Sequence, residues 1–413
     1  MSSPMLSTSF DGAIAPASAL PDPAQSALVI VDATPEALPA GTPAAETLRR
    51  LLTAARRAQT VILFLQPERG ADEANLDDSL APQPGPSEFV VRTLGGSPFG
   101  TSTFGLVLRA NGITDLVRAG SDESLGIACT VRDAAVRGYR ARRADVPQMA
   151  DAIAAAWLAA RPGPRNWHAE AKQAALLRTL DERLAPQHTA LVLIDVQNDF
   201  VSPTGATGRR EAMPMVDRAT ARIPVLLRQA RDTGCLVVHV RAEYGQHVRH
   251  VGSPYRFPST RTHEGAVWSA SAAELDGNHE FPPGEVEVCL RGSWGGQVID
   301  AVAPLPGEPV ITKHRFSAFI DTPLEALLRA RGIRTLVFAG VTTNCCIESS
   351  ARDASMLDFY LVVAEDCVGT KNSVRHLHEA SLEQLRTYFA LVEPSERIID
   401  AWQAHVPVAL ATQ

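Results

Sequence analysis

Two halves of this sequence repeat one another. Ser26-Ala-Leu-Val-Ile-Val-Asp32 is echoed by Thr189-Ala-Leu-Val-Leu-Ile-Asp195, and Leu108-Arg-Ala-Asn-Gly-Ile-Thr-Asp-Leu-Val-Arg-Ala-Gly120 by Leu328-Arg-Ala-Arg-Gly-Ile-Arg-Thr-Leu-Val-Phe-Ala-Gly340. The second match runs on without a gap into Thr130-Val-Arg-Asp-Ala134 and Ser350-Ala-Arg-Asp-Ala354, at a constant offset of 220 residues. A register held that long implies two copies of one domain. The copies differ in length. From the motif aspartate to the shared Gly-Ile the distance is 80 residues in the first and 137 in the second, so the first lacks 57, expected between its second strand and the later ones. The expected layout is a loose Ser/Ala/Pro-rich tail over 1–24, one copy over 25–165, a linker helix within 166–187 and a second copy over 188–406. Helical spacing at Ala171, Ala174, Leu177 and Leu180 marks that linker.

Each copy reads as an α/β unit. In the second, short and nearly continuous apolar runs predict strands at Leu191–Asp195, Leu236–Val240, Pro309–Lys313, Thr335–Gly340, Tyr360–Ala364 and near Phe389–Val392. Such runs suit parallel strands buried on both faces. Amphipathic stretches lie between several of them, for example Pro323–Ala330 with Gly332 as its C-terminal stop. Alternation of this kind implies two tandem three-layer α/β/α domains, each around a mostly parallel sheet with right-handed crossovers. Ligands of such sheets sit at the C-terminal strand ends.

Composition narrows the partners. A net charge of −7 disfavours a nucleic-acid or anionic-membrane surface, because both require clustered Lys and Arg. No apolar run reaches the roughly 18–20 residues of a membrane helix. The N-terminus has no basic start followed by an apolar core, so no secretion signal is read. Six cysteines in 413 residues are too sparse for a disulfide framework, and a reduced, cytoplasmic setting is expected.

Three reactive groups fall at predicted strand ends: Asp195, Lys313 and the Cys345-Cys346 pair that opens the next helix. Taken singly, each has an ordinary explanation as a turn-former, a solvated end or core filler. Together at one sheet edge they make a nucleophile, a proton shuttle and a cation. The helix dipole and first-turn N–H groups are expected to lower the thiol pKa.

These segments resemble the motifs of isochorismatase-like cysteine hydrolases. Leu193-Ile-Asp-Val-Gln-Asn-Asp-Phe200 is similar to their first motif, Lys313-His-Arg-Phe-Ser-Ala-Phe319 to the lysine motif, and Gly340-Val-Thr-Thr-Asn-Cys-Cys-Ile-Glu-Ser-Ser-Ala-Arg-Asp353 to the nucleophile motif. The resemblance spans about Gln187 to Val406 and implies a six-stranded parallel sheet. It implies Cys346 rather than Cys345 as nucleophile, Asp195 as proton carrier, Lys313 as the site's cation, and an oxyanion hole from the backbone N–H groups of Thr342 and Cys346. A cis peptide is implied between Val341 and Thr342, and turnover would pass through a thioester acyl-enzyme.

The same resemblance narrows the chemistry. Isochorismatases proper carry glycine where this chain has Cys346, so amide, carbamoyl or ureido hydrolysis is implied instead. The nearest similarity is to ureidoacrylate and peroxyureidoacrylate amidohydrolases and biuret hydrolases, through Arg291-Gly-Ser-Trp294, the run from Lys313 to Leu324, and Gly252-Ser-Pro254. Nicotinamidases of the wider family hold a metal through an Asp-x-His pair. The run from His239 to His247 and His250 has none, so neither metal nor cofactor is expected. Phe200 and Phe319 are candidate pocket walls, and Arg256 and Arg261 candidate partners for a substrate carboxylate. In the first copy, Lys313 and Cys346 correspond to Thr93 and Gly126, so that copy reads as a catalytically inactive structural partner. Duplication suggests an internal pseudo-dimer and leaves homo-oligomers open. The competing readings are a non-catalytic scaffold and a hydrolase of a non-amide bond on the same fold.

Overall fold

The strands form where the apolar runs lie. In the computed structural model, Thr189–Ile194 (β6), Leu236–Ala242 (β7), Val310–Lys313 (β8), Thr335–Val341 (β9), Tyr360–Gly369 (β10) and Leu391–Glu393 (β11) build one six-stranded sheet in the order β11-β10-β9-β6-β7-β8. Every recorded pairing within it is parallel. Ser26–Val31 (β1), Val61–Pro67 (β2), Glu88–Thr93 (β3), Asp115–Gly120 (β4) and Arg140–Arg143 (β5) build a second, parallel sheet in the order β3-β2-β1-β4-β5. The structure describes residues 20–31, 38–39, 41–67, 79–83, 85–94, 97–120, 125–144, 147–160, 176–243 and 288–405. The chain divides into two compact units, residues 1–176 and 177–413.

The two strand orders are the same order. Replacing β1 to β5 by β6 to β10 converts one sheet into the other, with β11 added at the edge. In each unit the period-2 alternation of strand side chains feeds two apolar clusters, one per face. In β6, Leu191 and Leu193 join the cluster beneath the helices Pro214–Asp232 and Ser395–Gln403. Ala190, Val192 and Ile194 join the opposite one, with Leu328 of Leu324–Ala330, Ala351 of Glu348–Met356 and Leu385 of Arg375–Tyr388. The three-layer arrangement follows from that division.

The missing residues of the first unit lie in two places. β2 begins 35 residues after β1, whereas β7 begins 47 after β6, so 12 of the 57 fall before the second strand. The remainder fall between the second and third strands. Of the expected linker helix, Ala171 and Ala174 lie outside the described residues; Leu176 to Arg178 are not helical, and a helix runs over Leu180–Leu184. Thr179 starts it there, because its hydroxyl caps the Glu182 N–H while the Glu182 carboxylate returns to the Thr179 N–H.

Candidate active site

Asp195, Lys313 and Cys346 come from three separate segments and meet at the C-terminal edge of the larger sheet. β8 lies two strands from β6, about 10 Å away, with β7 between them. The long lysine side chain crosses that gap: its Nζ is 2.8 Å from Asp195 Oδ2 and donates to Cys346 Sγ at 3.4 Å and to the Arg315 carbonyl at 3.1 Å. Three acceptors for one ammonium match its three protons. All three residues are at most 1 % exposed.

Local backbone explains the convergence. Asp195 leaves β6 with φ +56, a left-handed turn that redirects the chain at the strand end. Its N–H still donates to the Val240 carbonyl, tying it to β7. After β9 the Val341–Thr342 peptide is cis, as the sequence resemblance implies. Cys346 then sits in a π-helical turn, Thr343–Ile347, ahead of the α-helix Glu348–Met356. That turn is held from several sides. Ser350 Oγ donates to the Cys346 carbonyl and accepts from the Ala318 N–H, at 2.6 and 2.9 Å. Thr343 Oγ1 pairs with His378 Nδ1 at 2.8 Å, and Thr370 donates to the Asn344 side chain at 2.7 Å.

The electrostatics differ from the expectation of an acidified thiol. Burial pushes the Cys346 thiol well above the ordinary range, and the neighbouring Asp195 charge pushes it further, against the pull of Lys313. Burial also raises the Asp195 carboxyl, again opposed by Lys313. Desolvation at about 1 % exposure outweighs whatever the following helix offers, and Cys346 precedes the first α-helical turn. Both Asp195 carboxylate oxygens are buried, and the carboxylate interacts with the Cys346 side chain as well as with Lys313. The arrangement brings a thiol, a carboxyl group and an ammonium together in buried surroundings, where a proton can pass between the sulfur and the Asp195 carboxylate.

Three residues passed over in the sequence build the frame. Gln197, wholly buried, donates to the carbonyls of Ala242 and Gly296 and accepts from the Ala242 N–H. Asp199 accepts the N–H groups of Ala206 and Cys289. A Cβ at Gly295 would fall 1.9 Å from Asp199 Oδ2, so only glycine admits that approach. Cys289 is a second buried thiol near the site, its pKa raised by burial and by the charges of Asp195 and Asp199. The only sequence signal for these was the polar run Asp195-Val-Gln-Asn-Asp199 at a strand end, since their partners lie about 45 to 100 residues away.

Phe319 shares an apolar cluster with Cys346 and stacks near Phe359, ring centres 6.2 Å apart, while Phe200 belongs to the cluster on the other face. Arg256 and Arg261 lie outside the described residues, as do Asp32 and the Gly252-Ser-Pro254 run. No group of three or more metal-ligating side chains occurs among the described residues, and no described helix is long and apolar enough to cross a membrane.

A sequence profile of the Isochorismatase domain matches residues 25–156 and again 189–397. The chain belongs to the isochorismatase family. Members of this family are hydrolases, and the two matched stretches fall one in each unit. Similar solved structures include an isochorismatase family protein from Desulfovibrio vulgaris subsp. vulgaris str. Hildenborough, 27% identical over 52% of this chain and 98% of that one, TM-score 0.42. A cysteine hydrolase from Pseudomonas syringae pv. phaseolicola 1448A is 22% identical over 56% and 98%, TM-score 0.43. N-carbamoylsarcosine amidase from Thermoplasma acidophilum is 26% identical over 50% and 96%, TM-score 0.37.

Proposed function

We propose that the C-terminal unit hydrolyses a C–N bond in a small amide, carbamoyl or ureido compound, with Cys346 as nucleophile. The observation that carries this reading is the buried contact of Lys313 Nζ with both the Asp195 carboxylate and Cys346 Sγ. In this reading Asp195 takes the thiol proton as sulfur attacks the substrate carbonyl carbon. The oxyanion is received by backbone N–H groups of the turn, at Thr342 and Cys346. Asp195 returns the proton to the leaving nitrogen, the C–N bond breaks and a thioester remains. Water, deprotonated by Asp195, then attacks the thioester, the carboxylic or carbamic product departs and the thiol is restored.

Thiol and carboxylate both hold raised pKa values, so the resting site keeps its proton and the thiolate forms only during attack. Lys313 touches both groups and offsets the negative charge as it moves from carboxylate to sulfur. A vinyl ether route needs no nucleophile and leaves the buried thiol without a task. The first unit takes no part in turnover in this proposal, because the end of β3, equivalent to Lys313, carries Thr93. The test is ammonia release from a panel of small amides and ureides, comparing the native chain with Cys346→Ala. Turnover lost in the variant supports the reading. Silence across the panel, or turnover that survives Cys346→Ala, overturns it.

A further inference from the structure

A cavity of about 430 Å³ is walled by the start of Pro214–Asp232, the end of β10 and the first turn of Arg375–Tyr388, and one of its lining residues, His378, bonds to Thr343 of the Cys346 turn. Arg218, Arg222, Glu365, Asp366 and His378 supply its polar lining. Its acids are already engaged. Asp366 accepts from the Ser395 N–H and hydroxyl, both at 2.7 Å, and pairs with Arg222 at 3.2 Å. Glu365 pairs with Arg386 at 3.2 Å. Arg218 is exposed and has no ion-pair partner among the described residues, yet its charge reaches His378. His378 uses Nδ1 for the Thr343 hydroxyl, which leaves Nε2 as its second hydrogen-bonding atom. Once the acids are matched to their partners, the cavity retains one guanidinium and one imidazole nitrogen.

We propose that this cavity binds a small oxyanion, a carboxylate or a phosphate, between Arg218 and His378, and that the bound anion stiffens the Cys346 turn through Thr343. A guanidinium fork and an imidazole N–H are both donors, and an oxyanion is the ligand that accepts from both. In the tautomer in which Nδ1 accepts from the Thr343 hydroxyl, the neutral ring carries its proton on Nε2. An anion on Nε2–H makes Nδ1 a stronger acceptor and tightens the bond to Thr343, three residues before Cys346. The regulatory half of this inference rests on the reading of Cys346 as nucleophile; the binding half does not.

Calorimetric titration of the full chain with inorganic phosphate, and separately with succinate, tests the site. Saturable binding to at least one, weakened about tenfold in Arg218→Ala, is the expected result. Absence of saturable binding to both, or binding unchanged in Arg218→Ala, overturns it. The second measurement is the rate of Cys346 alkylation by iodoacetamide, followed by mass spectrometry at that peptide. Saturating anion is expected to slow it at least about twofold in the native chain and to leave Arg218→Ala unchanged. An unchanged rate in the native chain overturns the coupling. Neither readout requires turnover, so failure of the proposed hydrolase activity remains distinguishable from failure of this site.

Discussion

The two units share a frame and differ in what they hold at one end of it. At the N-terminal edge of each sheet the same clamp recurs. Arg56, near the end of Pro43–Ala58, grips Glu88 with Nε at 2.8 Å and a terminal nitrogen at 3.2 Å, and also donates to the Ala81 carbonyl. Arg231, near the end of Pro214–Asp232, grips Glu308 at 2.7 and 2.8 Å and donates to the Ala303 carbonyl. At the C-terminal ends of the central strands, Gly120 and Gly340 repeat as well, with φ of +118 and +126, and a Cβ there would lie 2.2 and 2.0 Å from the carbonyl oxygens of Val31 and Ile194. In the side chains beyond them the likeness stops: Lys313 answers to Thr93, and Cys346 to Gly126. The parts that fasten helix to sheet and strand to strand are common to both, whereas the reactive set occurs once. The shared contacts are made by the clamp and the backbone and the chemistry by side chains at one edge, so one can be lost without the other.

The largest effect that would sharpen this contrast is at sulfur. Cys346→Ala is expected to reduce kcat by about 10⁴-fold or more, and Cys129→Ala in the first unit to leave it unchanged, in an ammonia-release assay. Equal effects would break the asymmetry. A converse test grafts Thr93→Lys and Gly126→Cys into a Cys346→Ala chain; no turnover is expected, and any would show that the first unit retains a working frame.

Giving the second unit the residue of the first, Lys313→Thr, is expected to remove activity and to destabilise that unit by about 3–5 kcal/mol in urea unfolding, because Asp195 loses the cation that offsets its burial. Gly120→Ala and Gly340→Ala come next, each expected to cost its own unit about 2–4 kcal/mol. Similar losses would affirm that the central contact is common property. The clamp is smallest: Arg56→Gln and Arg231→Gln are each expected to cost about 1–2 kcal/mol, as partly buried ion pairs.

The clamp in the second unit carries a pH signature. Burial works to raise the Glu308 carboxyl, but Arg231, the Leu305 N–H and His239 outweigh it and bring it to about 2 from an ordinary 4.5. A carboxyl depressed on folding adds stability that is fully present above the unfolded value and is lost as pH falls toward the folded one. Urea midpoints of the native chain should therefore drop more steeply between pH 4.5 and about 2 than those of Glu308→Gln. Parallel curves would remove Glu308 as the source.

Much of this was legible in the sequence for physical reasons. The repeat and the strands of the larger sheet could be read because parallel strands buried on both faces leave short apolar runs, and β6 to β11 fall close to those runs. Asp195, Lys313 and the cysteine pair could be read because each closes or follows such a run. Burial of the thiol could not, since desolvation depends on how neighbouring layers close over it. Nor could the frame of Gln197, Asp199 and Cys289 or the Arg–Glu clamp, whose partners are separated by about 30 to 100 residues and carry no local pattern. The bounds of the linker helix were not legible: the cap at Thr179 sets its start among the described residues, while Ala171 and Ala174 lie outside them.

The saturation of Lys313 has a further meaning for traffic through the site. Its three protons are committed to Asp195, Arg315 and Cys346, so Lys313 itself has none to spare for an arriving anion. An uncharged carboxamide end can enter without disturbing that balance. The carboxylate that the proposed hydrolysis releases adds a second negative charge beside Asp195, and that repulsion favours its departure. Under the proposed chemistry the site admits its reactant by neutrality and ejects its product by charge.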